Sequence, residues 1–290
     1  MYASVNGTRL YFDVDGEGLA PDGANMRKKP TVILVHGGPG ADHSVSKPYF
    51  KQLTDIAQVI YYDHRGNGRS SGDDARDWTL EQWGDDLFGL CDALGVERPV
   101  VIGTSFGGFV SLSYATKHVG HASGLVLIST AAKVEFEKVY RAFERLGGKE
   151  IAKIAKSYWE HPTDESRALY RDRCAPFYQQ SKSASLDWLS RILWRNETAL
   201  HFNGPNAEHG KMDFRDGLHR ISCPVLLMVG EEDPITPPEF SDEIARGLDD
   251  SQLTYHRYQN CGHGVVADKP SEALSAIRDF ICRIDREINT

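Results

Sequence analysis

The chain has 290 residues, 40% of them apolar and 26% charged, with a net charge of -8 at neutral pH. That length suits one large α/β domain or a core with an insertion, and the negative balance disfavours nucleic acid and anionic membrane partners while weakly favouring a cationic or neutral small molecule or short peptide as substrate. No apolar run approaches the roughly 20 residues of a bilayer span, the amino terminus lacks a secretion pattern, and the five scattered cysteines form no Cys-x-x-Cys pair, so a cytoplasmic location without metal or cofactor is expected.

The segment Ser4–Val14 alternates around Asn6-Gly7 and predicts a hairpin, followed by a polar loop up to Pro30. Short apolar runs then recur at Thr31–Val35, Gln58–Tyr62, Val100–Gly103, Leu125–Ser129, Val225–Val229 and Leu253–Tyr258. Helix-length segments lie between most of them. In the clearest, Thr79–Leu94, apolar Leu80, Trp83, Leu87, Leu90 and Leu94 fall at three- and four-residue steps. The alternation predicts an α/β fold with a mainly parallel, doubly wound sheet whose sites open at the carboxyl ends of the strands. From 132 to 216 no strand pattern occurs, whereas Phe136, Val139, Tyr140, Phe143 and Leu146 share a helical face. Twelve of the 29 aromatic residues fall there, more than an even spread gives. We therefore expect a helical cap over 132–216, inserted between core segments 1–131 and 217–290, that packs on the core and roofs a pocket.

Gly103-Thr104-Ser105-Phe106-Gly107 follows the apolar run Pro99–Ile102 and leads into the helical stretch Phe109–Lys117. A Gly-x-Ser-x-Gly at such a junction is a nucleophile elbow, in which small flanking residues allow a turn sharp enough to present the hydroxyl. Ser105 is thus the candidate nucleophile. A serine hydroxyl needs a base, and the base an orienting group. His263, in Asn260-Cys261-Gly262-His263-Gly264 after the run Leu253–Tyr258, is the candidate base. Asp233, after the run Val225–Val229, is the candidate acid, with Glu231 and Glu232 as adjacent alternatives. The oxyanion formed on a carbonyl needs preorganised donors. Phe106 N–H supplies one, and the glycine run His36-Gly37-Gly38-Pro39-Gly40 supplies the other from Gly38, or else from Gly37.

These motifs resemble the α/β-hydrolase superfamily, whose order of serine, acid and histidine they follow, and the resemblance runs through almost the whole chain. The His36–Gly40 run, together with Asp63-His64-Arg65-Gly66-Asn67-Gly68-Arg69-Ser70, is similar specifically to the proline iminopeptidase group, which usually has glutamine where His64 stands. The Asp63–Ser70 segment reads as a structural turn. The resemblance implies an α/β-hydrolase fold and a cofactor-independent serine hydrolase, with an aminopeptidase or amidase acting on a free amino end as the expected activity. An esterase or lactonase acting on neutral acyl compounds is the alternative, and a ligand-sensing binding protein on the same fold is a further one. In related aminopeptidases a glutamate after a stretch like Asn203–Asn206 meets the substrate amine, and a second acid often follows the catalytic aspartate. Here Ala207 stands at the first position and Pro234 at the second. Glu208, one residue on, is the candidate amine anchor, and Glu197 and Glu232 are lesser candidates.

Overall fold

The computed structural model describes residues 1–181 and 190–289. Strands β1 (Tyr2–Val5) and β2 (Thr8–Asp15) form the expected hairpin, with Asn6 and Gly7 both at positive φ in its turn. The segment expected to be a loop instead carries a second hairpin, β3 (Leu19–Asp22) and β4 (Asn25–Lys28). Nearly all its residues are solvent-exposed, so no apolar alternation recorded it in the sequence.

Six further strands follow: β5 (Thr31–Val35), β6 (Gln58–Tyr62), β7 (Val100–Thr104), β8 (Gly124–Ile128), β9 (Val225–Gly230) and β10 (Leu253–Tyr258). With β1 and β2 they make one eight-stranded sheet in the order β1-β2-β6-β5-β7-β8-β9-β10. Pairing is antiparallel for β1/β2 and β2/β6, and parallel for every pair from β6 to β10. The sheet is therefore mainly parallel, as expected. Because side chains alternate across a strand, even the fully apolar strands feed two cores. Ile33, Val35, Val101 and Leu127 face one, and Val32, Leu34, Ile102 and Val126 the other. Helix α1 (Leu80–Ala93) and helix α2 (Phe106–Lys117) cover the first face, and the terminal helix Pro270–Asn289 covers the second. Thr79 caps α1, its side chain accepting from Gln82 N.

Between β8 and β9 the described chain is helical, led by Phe136–Glu160, which kinks at Gly148, and Asp164–Arg173. The remainder comprises short helices, Asn196–Phe202 and Glu208–Lys211 among them. Part of the interval expected to be a cap, 182–189, lies outside the described residues. Among the described residues no helix is long and apolar enough to cross a membrane.

Candidate active site

Parallel strands place the loops after β5, β7, β9 and β10 at one edge of the sheet, and all the expected catalytic residues lie on those loops. At the elbow the chain turns from β7 into α2 within one residue. Ser105 adopts φ 54° and ψ -120°, a conformation costing an L-residue about 1–3 kcal/mol. The surroundings impose it: Ser105 N donates to Ile128 O at 2.9 Å, and Ser105 O accepts from Gly108 N at 2.8 Å and Thr130 Oγ1 at 2.9 Å. The flanking glycines answer to close contacts. A Cβ on Gly107 would lie 2.0 Å from Val35 O, and one on Gly103 would lie 2.3 Å from Ser111 Oγ.

The expected acid and histidine meet. His263 Nδ1 lies 2.8 Å from Asp233 Oδ2 and 3.0 Å from Oδ1, with both side chains buried. The carboxylate is held by three further donors: Ile235 N at 2.8 Å and Thr236 N at 2.9 Å on Oδ1, and Thr236 Oγ1 at 2.8 Å on Oδ2. A carboxylate so fixed orients the imidazole, assigns the Nδ1 position a proton, and leaves Nε2 to accept one. Thr236 was not singled out from the sequence; a hydroxyl three residues after the acid was the only signal. Glu231 and Glu232, the adjacent alternatives, are engaged elsewhere, Glu231 with Arg257 and Glu232 with Cys261 N.

The glycine run lies against the elbow, since a Cβ on Gly37 would come within 2.9 Å of Thr104 O and 3.3 Å of Ser105 Cβ. Gly38 takes φ 67°. Among the described residues neither Gly38 N nor Phe106 N donates to a backbone carbonyl outside regular elements, so both donors remain available. The Phe106 ring is turned inward against His64, Trp83 and Phe202, so this residue offers the site its amide. Burial pulls the His64 and His36 pKa values down, His64 the further, and so favours neutral rings behind the loop.

The Asp63–Ser70 turn is occupied with structure. Asp63 accepts from His43 N at 2.9 Å and Arg69 N at 2.8 Å, and its Oδ1 lies 2.6 Å from His43 Nδ1. Asp42, His43 and Asp63 cluster closely enough to hold a cation, but the Arg69 guanidinium sits 2.6 Å from Asp42 and already supplies the positive charge. The same turn, together with the glycine loop, anchors the segment around Arg195 and Thr198. Arg195 N donates to Gly40 O at 2.7 Å, Arg195 Nε to Gly68 O at 3.1 Å, and Thr198 Oγ1 to Gly66 O at 2.5 Å. On the opposite side, Gly264 N donates to Tyr178 O at 3.1 Å, and the Tyr178 ring stands edge-on to His263 with centroids 5.5 Å apart. Segments of the 132–216 interval therefore border both the glycine loop and the histidine loop.

Glu208, the expected amine anchor, is half-buried, and its Oε1 accepts from Leu80 N, the first amide of α1, at 3.0 Å. Glu197 is exposed in the first turn of Asn196–Phe202. The next residue after Glu208 is buried: His209 packs among Phe109, Phe136, Trp159 and Phe202, and burial pulls its pKa down to about 3.

The alpha/beta hydrolase fold family matches residues 30–270. The chain belongs to that family. Proline iminopeptidase PfmaB of Pestalotiopsis fici is 30% identical, the match covering 97% of this chain and 98% of that protein. Among solved structures, proline iminopeptidase of Mycobacterium smegmatis superposes with a TM-score of 0.78 at 22% identity, covering 99% of each chain. A thermophilic esterase from Thermogutta terrifontis does so with a TM-score of 0.68 at 24% identity, covering 98% of each. The resemblance to proline iminopeptidases is thus general to the chain, and the fold is shared with esterases.

Proposed function

We propose that the chain is a serine hydrolase that cleaves small carboxylic esters or amides through an acyl-enzyme on Ser105. The observation that carries this reading is the buried His263–Asp233 pair, 2.8 Å apart, on loops that open at the same sheet edge as a serine held at φ 54°. His263 Nε2 takes the Ser105 proton as Oγ attacks the carbonyl carbon. The oxyanion receives Gly38 N–H and Phe106 N–H, the latter at the positive end of α2. His263 then passes the proton to the leaving group, and a water deprotonated by the same nitrogen releases the acid. The helices between β8 and β9 act as the cap over this site.

Of the two substrate classes, acyl compounds without a free amino end fit better. A buried ammonium needs carboxylate partners. Ala207 and Pro234 replace the acids of the aminopeptidase pattern, Glu208 is engaged at Leu80 N, and Glu232 is engaged at Cys261 N. The aminopeptidase reading rests on overall similarity and on the second oxygen of Glu208. A panel of prolyl and alanyl anilides, their amino-blocked forms, aryl esters and lactones separates the two, with Ser105→Ala as control. Faster cleavage of free-amino anilides than of blocked ones and esters would reverse the preference. Turnover by Ser105→Ala would refute the serine mechanism, and stoichiometric capture without turnover would mark a binding protein.

A further inference from the structure

Two fully buried imidazoles lie against each other behind the glycine loop, and the proposed proton transfers use neither. His36 directly follows β5 and His64 follows β6, and their ring centroids are 4.1 Å apart. Their hydrogen bonds fix the tautomer of each. His64 Nε2 lies 3.1 Å from His36 O, and a carbonyl only accepts, so Nε2 carries the proton. His36 Nδ1 lies 3.0 Å from Gly37 O and is protonated for the same reason. His36 Nε2 accepts from His64 N at 3.3 Å, which keeps that nitrogen bare. A second proton on His64 would sit on Nδ1, which is buried without a partner. Both rings are therefore neutral, in keeping with the burial that draws their pKa values down.

These bonds set the direction of the loop amides. In a planar trans peptide the C=O and the N–H are opposed, so a group that holds a carbonyl also aims the amide of the next residue. His36 holds Gly37 O and turns Gly38 N–H away from its own ring. His64 holds His36 O and does the same for Gly37 N–H. Gly38 O accepts from Ala41 N at 2.9 Å, so three successive carbonyls are tied down while Gly38 N keeps no acceptor among the described residues. Gly37 lies against the elbow, where a Cβ on it would come 3.3 Å from Ser105 Cβ, and Gly38 N is only two covalent bonds beyond that Cα. His64 also braces the other expected donor. Its ring stands edge-on to the Phe106 ring at 5.3 Å and to Tyr62 at 4.9 Å.

We propose that His36 and His64 are positioning residues for the oxyanion: His36 Nδ1–H, kept in that tautomer by His64 N, aims Gly38 N–H at the reacting carbonyl, and His64 Nε2–H fixes the peptide before it. The proposal rests on the serine-hydrolase reading above. Neither ring touches the substrate or moves a proton. An oxyanion donor acts mainly in the transition state, so misaiming it lowers kcat and leaves KM nearly as it was.

The test uses side chains that keep or remove a single N–H. Asparagine reaches as many bonds from Cβ as Nδ1 does, and glutamine as many as Nε2, whereas leucine supplies no donor. His36→Leu is expected to lower kcat for an aryl ester about 100-fold, the effect of one oxyanion donor, with KM changed by less than about threefold. His36→Asn is expected to recover about tenfold of that loss. His64→Leu is expected to lose about tenfold in kcat, and His64→Gln to restore most of it. An aryl boronic acid, which forms a tetrahedral anion on Ser105, is expected to lose affinity in step with kcat across the series. Leucine variants that fold and keep native kcat, a loss carried by KM instead of kcat, or amide variants no better than the leucine ones overturn the proposal. Should the leucine variants not fold, the native protein decides through the nitrogen NMR shifts of the two rings. His36 protonated at Nδ1 and His64 at Nε2 is the expected result, and the reverse tautomer at either ring overturns the proposal. Hydrolysis that survives Ser105→Ala is a different failure, that of the serine mechanism itself.

Discussion

Replacing Asp233 with asparagine tests the proposed charge arrangement, because the surroundings dictate how the amide must sit. Oδ1 accepts two backbone amides, Ile235 N and Thr236 N, and only the amide oxygen can take that place. The NH₂ group therefore occupies the position of Oδ2, 2.8 Å from both His263 Nδ1 and Thr236 Oγ1. The threonine hydroxyl rotates and accepts, so the fold loses little. The imidazole has no such freedom: Nδ1 now faces a donor and must accept, its proton moves to Nε2, and that nitrogen can no longer take the Ser105 proton as proposed. The expected loss in kcat is about 10⁴-fold, or about 5.4 kcal/mol of transition-state stabilisation, with Tm nearly unchanged. The assay pairs steady-state hydrolysis of an aryl ester with labelling by a fluorophosphonate probe, which reports the nucleophilicity of Ser105 independently of substrate fit. A variant that folds and keeps kcat within tenfold of the native value would refute the assignment of Asp233 as the orienting acid.

Two further outcomes follow from burial and strain. His209 has its pKa drawn from 6.5 to about 3 by burial, so below pH 6.5 the unfolded chain takes up a proton that the folded one refuses. Stability is therefore intact above that pH and falls on acidification, by about 2 kcal/mol from this group at pH 5; urea titrations of His209→Phe should lose that share of the pH dependence, and identical dependence in both proteins would contradict it. Ser105→Gly should remove turnover and raise unfolding free energy by about 1 kcal/mol over Ser105→Ala, because glycine relieves the positive-φ strain at a smaller entropic cost. Equal stabilities of the glycine and alanine variants would show that the elbow stores no such strain.

What could be read from the sequence, and what could not, follows the range of the contacts concerned. Gly103 and Gly107 are dictated by Ser111 and Val35, contacts made with helix α2 and with the adjoining strand β5, so the elbow leaves a short pattern wherever it is built. The β5–β9 strands announced themselves because burial on both faces demands continuous apolar runs. The β3–β4 hairpin, wet on nearly every residue, left no such record.

Contacts between separate segments of the helical interval are encoded differently. Read alone, Asp164–Arg173 is a charged helix with the look of a solvated face, and nothing local marks Arg167 as buried. It is buried by Tyr158 on the preceding helix and by Trp194, 27 positions further on. Glu208, plausible as an amine anchor from its place after Asn203–Asn206, is drawn to Leu80 N, 128 positions away. Contacts between separate segments leave no spacing to recognise, and they are also free to change while the elbow stays fixed. Here the acids of the aminopeptidase pattern give way to Ala207 and Pro234 while the Ser105 elbow and the Asp233–His263 pair are kept. Loss of those carboxylates removes the partners that a buried ammonium would need. A chain can therefore keep the elbow and the acid–histidine pair while the contacts that would select its substrate change.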